Sequence, residues 1–171
     1  EFRVRKTVPI VALLALPSTT LGAGDKTIAK FTVTAGSNED VNIRRINLNV
    51  AKSSSSVTLA SGQLKVNGDV KSSGVTISAA GLITFDNNEV VAAGTTKTFE
   101  VIMSVSGLVS GEYNYVNTKI SEAGAYVTTS SAVGTSDFEW NDNSSNAFGD
   151  YFGSYRVIGV PTNTQQLDVN L

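Results

Sequence analysis

The chain has 171 residues, with 13 Lys and Arg against 15 Asp and Glu for a net charge of -2, and it contains neither Cys nor His. So even a balance argues against a nucleic-acid or anionic-membrane partner held by charge. Without Cys there is no thiolate nucleophile, zinc–thiolate centre or disulfide; without His the usual general base, the Ser-His-Asp triad and the commonest transition-metal ligand are absent. Only 16% of residues are charged, against roughly 25% in ordinary globular domains. Ser, Thr, Asn and Gly do the solubilising instead, a composition common in extracellular β proteins.

Residues 3–23 imitate a secretion signal: Arg3, Arg5 and Lys6 precede the apolar run 8–16, and Leu21, Gly22 and Ala23 follow. Pro9 interrupts that run, which suits a strand start or sheet edge, and the run falls short of the ~20 residues that span a bilayer. The reading is therefore a strand over 2–16, split near Pro9. It either fills this domain's own core or completes a neighbour's sheet as a donor strand.

Strand-like segments then recur about every ten residues between Gly, Asn and Ser clusters, with almost no helical periodicity, as in an all-β sandwich or barrel. Residues 26–35 alternate, with Phe31, Val33 and Ala35 on one face. In 41–50 the alternation slips once: Val41 and Ile43 share one parity, Ile46, Leu48 and Val50 the other. One extra residue at Arg44-Arg45 keeps both halves facing one core, which predicts a β-bulge. Asn67-Gly68 between strand-like runs predicts a type I′ hairpin. Short strands follow at 75–77 and 82–85, and Asp86 to Glu89 reads as a turn. The cleanest core strand is 97–105, with Phe99, Val101, Met103 and Val105 inward. Strands over 113–122, 125–129, 138–140 and 155–158 come next, then a tail from 159 with alternating Leu167, Val169 and Leu171. Tyr113, Tyr115 and Tyr126 read as core or rim.

The functional-looking constellation is residues 138–155. Glu139, Asp142 and Asp150 are hard oxygen donors suited to Ca²⁺, although the spacing is not that of an EF-hand; the alternative is a solvated loop whose Asn and Asp cap backbone groups. Trp140, Phe148, Tyr151, Phe152 and Tyr155 cluster there too, either as a stacking platform for sugar rings or as a plug for one end of the core. Asn143 opens an N-glycosylation sequon. Carboxylate pairs are the one catalytic route left open; Asp86 and Glu89 sit in the expected turn, and phosphate-cradling Gly-rich loops are absent. A non-enzymatic chain is expected.

Several segments resemble a known family. Arg3-Val-Arg-Lys-Thr-Val-Pro9, Leu16-Pro-Ser-Thr-Thr-Leu21, Lys30-Phe-Thr-Val-Thr-Ala35 with Glu39-Asp-Val41, Val91-Ala-Ala-Gly-Thr-Thr-Lys-Thr-Phe99 and Gly159-Val-Pro-Thr-Asn-Thr-Gln-Gln-Leu167 are similar to a domain of large secreted surface proteins of candidate-phyla (Patescibacteria-type) bacteria. The resemblance implies an extracellular, immunoglobulin-like β-sandwich module and carries no catalytic residue.

The expectation is a single all-β immunoglobulin-like sandwich over 1–171, with an apolar strand and loop at 1–21 and a tail strand at 159–171. It acts as a structural module of a cell-surface filament, pilus-like appendage or surface layer, self-associating or joining neighbouring surface domains. Val8, Ile10, Val11, Leu13, Leu14 and Leu16 form the assembly strand. The alternative is an adhesion module that binds glycan through 138–155.

Overall fold

The computed structural model describes residues 5–75, 82–120, 138–142 and 157–171. Among them are ten strands and no helix: β1 (Ile10–Leu13), β2 (Gly24–Thr34), β3 (Val41–Lys52), β4 (Thr58–Val66), β5 (Asp69–Val75), β6 (Leu82–Val91), β7 (Thr96–Ser106), β8 (Tyr113–Ile120), β9 (Phe138–Asn141) and β10 (Gln165–Asn170). One sheet has the order β1-β2-β7-β4-β5 and the other β10-β8-β3-β6, with β9 also paired to β3. All the strand pairings are antiparallel. The expected all-β sandwich is the observed architecture. Its connections differ from the immunoglobulin pattern, in which the second strand pairs with the fifth. Here the second pairs with the seventh, the seventh with the fourth, and the third with the sixth and eighth, the nested order of a jelly roll.

The inward faces of both sheets supply one apolar core. At its centre Phe31 and Phe99, register partners on β2 and β7, stack with centroids 5.4 Å apart and planes 2° from parallel. β7 alternates as its sequence requires, with Phe99, Val101, Met103 and Val105 all buried. The slip in β3 is a bulge: its register against both β6 and β9 shifts between Ile43 and Arg45, and Val41, Ile43, Ile46 and Leu48 are all buried. Asn67 and Gly68 both take positive φ, 53° and 90°, and join β4 to β5.

Two expectations need correction. Asp86 to Glu89 lies within β6, where the partner of β3 jumps from Glu89 to Thr84 across the bulge. The turn-like composition marks this interruption of a ladder, not the end of a strand. Glu89 is buried there and accepts a 2.5 Å hydrogen bond from Lys97 Nζ. Of the strand expected over 2–16, the described residues form a ladder over Ile10–Leu13. Pro9 has no N–H to give a ladder; beyond Leu13 one more backbone bond, Leu14 N to Lys30 O at 3.0 Å, continues the pairing, and a side chain joins it. Gln165 Nε2 donates to Leu14 O at 2.6 Å and to Lys30 O at 3.0 Å, while Lys30 N donates to Gln165 Oε1 at 2.9 Å. That amide does the work of a peptide group and links the two sheets.

A second bulge, between Thr27 and Ala29 in β2, buries both Ile28 and Ala29. A bulged residue falls out of the ladder, and a buried carbonyl without a partner is costly. Thr118, buried on β8 of the facing sheet, donates its Oγ1 hydrogen to Ile28 O at 2.5 Å. Thr118→Val keeps the shape and removes the donor. It should lower stability by about 1–3 kcal/mol, read as a lower urea midpoint with an unchanged slope; an unchanged midpoint would mean the carbonyl finds another partner.

Candidate functional site

The segment expected to form the assembly strand runs along the sandwich edge and touches both sheets. At its start, Arg5 lies over Trp140 of β9, with the guanidinium carbon 5.2 Å from the ring centroid, a cation–π distance. Arg5 Nη1 also meets Asp142 Oδ1 at 3.5 Å, and Lys6 N donates to Asp142 Oδ2 at 2.8 Å. Lys6 Nζ reaches Glu39 at 3.1 Å. Buried Thr7 then accepts a 2.8 Å hydrogen bond from Gly36 N; a Cβ at Gly36 would stand 2.6 Å from that hydroxyl, so the close approach needs glycine.

β1 itself pairs antiparallel with β2 of its own chain. Its outer edge meets residues 157–160: Val11 N donates to Ile158 O at 2.8 Å, and Ile158 N to Pro9 O at 3.0 Å. Gly159, at φ 86°, brings its backbone against Val11 O, where a Cβ would lie 2.1 Å away. Beyond this contact an open hollow of about 370 Å³, lined by Leu13, Gly159, Pro161, Thr162 and Asn163, borders the edge. Of the six assembly-strand residues, Val11 is buried, Val8, Leu13 and Leu16 are half-buried, and Ile10 and Leu14 are exposed, Ile10 bridged to exposed Ile158. The chain then crosses to the other sheet: Leu21 N donates to Asp168 O at 2.8 Å and Asp168 N to Thr19 O at 2.9 Å.

The 138–155 constellation is only partly brought together. Trp140 has no exposed surface; it is a core ring opposite Ile43 and offers no face to a sugar, which leaves packing, not stacking, of the two roles expected of it. Asp142 is equally buried and already engaged by Arg5 and the Lys6 amide. Glu139 pairs in register with Arg45. Asn143, Phe148, Asp150, Tyr151, Phe152 and Tyr155 lie outside the described residues. Among the described residues no three His, Cys, Asp or Glu side chains gather as metal ligands, and no helix is long and apolar enough to cross a membrane.

A cluster that sequence reasoning passed over lies on the outer face of β8 and β10. Tyr113, 51% exposed, donates its hydroxyl hydrogen to Asp168 Oδ2 at 2.5 Å. Gln166 Nε2 donates to the Tyr113 oxygen at 2.8 Å and to the same carboxylate oxygen at 2.7 Å. The Tyr115 ring stands 6.0 Å from that of Tyr113, tilted by 43°. The hydrogen bond to Asp168 raises the Tyr113 pKa, with partial desolvation and the Asp168 charge adding and Gln166 opposing. The tyrosine spacing was visible in the sequence; the signal that pairs it with a carboxylate is the β8–β10 register.

No family model matches the chain, and no curated protein matches it. The likeness to candidate-phyla surface domains therefore rests on the quoted segments alone.

Two measurements probe these contacts. Arg5→Met leaves the buried Asp142 carboxylate without its guanidinium and should cost about 3 kcal/mol in denaturant titration, the low end for breaking a buried pair, because Arg5 keeps 15% exposure. The phenolate absorbance of the native chain minus that of Tyr113→Phe should titrate above the ordinary tyrosine value, and Asp168→Asn should bring it down. The sign follows from the raised pKa: the hydrogen bond is intact below the ordinary value and is lost only as pH rises through the higher one.

Proposed function

We propose that this chain is a non-enzymatic structural module of an extracellular surface assembly, joined to its neighbours by exchange of the N-terminal strand. One observation carries the reading. β1 is a four-residue edge strand that buries a single side chain fully, and residues 14–23 tether it to β2. A strand held by edge pairing on such a tether can come from a second copy with the same contacts outside the hinge, a low-cost route to association. The exposed apolar pair Ile10 and Ile158, bridged across this edge, favours a partner over water there.

The composition agrees with a surface location, being rich in small polar residues. Buried carboxylates that might have served chemistry are engaged with cations, Asp142 with Arg5 and Glu89 with Lys97. Carbohydrate binding through 138–155 has less support, since Trp140 and Asp142 are both buried.

Ala12 and Thr32 are register partners, so cysteines placed there lie at disulfide distance. Mixing Ala12→Cys chains with Thr32→Cys chains after co-refolding should give disulfide-linked pairs, and light scattering of the native chain should show multimers. Linkage only in the single chain carrying both cysteines, together with a monomeric mass, would refute strand exchange.

A further inference from the structure

The outer face of β8 and β10 has the chemistry of a binding surface, and nothing in the strand-exchange reading uses it. Alternation turns Val116, Thr118 and Leu167 inward, where they are buried, and Tyr113, Tyr115, Asn117, Gln166 and Asp168 outward. The register sets Tyr115 opposite Asp168 and Asn117 opposite Gln166. We propose that this face binds neutral, β-linked pyranose chains, with Tyr113 and Tyr115 as the stacking rings and Gln166 and Asp168 as the hydroxyl partners.

Three features point to a sugar. The two rings lie one strand repeat apart and present a shallow V 6.0 Å between centroids. Equatorially substituted pyranoses carry flat faces of axial C–H groups that suit the faces of such rings, while their hydroxyls need polar groups at the ring edge. The Tyr113 ring is held ready by Asp168 and Gln166, so binding does not have to order it. These bonds leave Asp168 Oδ1 and Gln166 Oε1 to accept from incoming hydroxyls.

Charge selects the class. The Asp168 carboxylate at the centre disfavours uronic acids, phosphates and nucleic acids, and exposed Lys119 further along β8 does not outweigh it at the rings.

The test is calorimetric titration of the full chain with cellohexaose and chitohexaose. At least one should bind. Tyr113→Ala should weaken that binding about tenfold, the scale of one lost stacking contact, while Tyr113→Phe, which keeps the ring, should lose less. Because Tyr113 is a surface residue, circular dichroism should show Tyr113→Ala folded. Failure of both oligosaccharides to bind would overturn the proposal, as would binding undiminished in Tyr113→Ala. Loss of multimers in Tyr113→Ala without glycan binding would overturn it in favour of a protein contact on this face. The cysteine-pair experiment reads strand exchange at β1 and is unaffected by either result.

Discussion

A β-sandwich has to close its edges, and in this chain the closure depends on the path of residues 5–21. That segment begins at β9, passes through β1 on the first sheet and crosses to β10 on the second before β2 begins. Unpaired edge groups are a template for wrong association, so the segment that covers them sets how the molecule meets its neighbours. Its anchors are polar: Arg5 with Asp142, Thr7 with Gly36, and Gln165 with Leu14. Each of these polar contacts fixes one register, where apolar contacts alone would let a short strand slide.

Much of the architecture was legible because strand alternation is a local property. The β3 bulge, the Asn67-Gly68 hairpin and the inward face of β7 could each be read from a few adjacent residues, and each is present. The strand order was not legible, since pairing β2 with β7 and β3 with β8 joins segments some seventy residues apart, and the side-chain pattern of a strand does not name its partner. The bulge in β2 was missed because Ile28 and Ala29 keep the run apolar through the slip. Only Thr118 on the facing sheet reveals that a carbonyl has left the ladder.

The candidate sites divide in the same way. Residue type and position picked out the N-terminal edge, because an apolar run containing proline near the start of a chain is conspicuous. Residue type misled at Asp142. An aspartate among asparagines looks exposed on paper, yet here the Lys6 amide and Arg5 both meet the buried carboxylate, and Arg5 also lies over the indole. Arg5 lies 137 residues from Asp142 in sequence, so no spacing rule would have paired them. The tyrosine face was overlooked for the opposite reason, since its partners on β10 read only as a tail.

Asp168 ties the two surfaces together. Its backbone receives a hydrogen bond from Leu21 and gives one to Thr19, while its carboxylate holds Tyr113 and Gln166. If the N-terminal strand leaves for a neighbour, the chain must open between Leu14, held by Gln165, and Thr19, fastened at Asp168. Pro17 lies in that interval, restricts the backbone on both sides and offers no amide to pair. The hinge is thereby placed upstream of the tyrosine face. Exchange at β1 would leave Thr19, Leu21 and Asp168 where they are, so an assembled chain would present the same Tyr113 and Tyr115 rings as a free one. A module that exchanged β1 and bound glycan at these rings would repeat the face along a polymer, and many weak contacts would then act together through effective concentration.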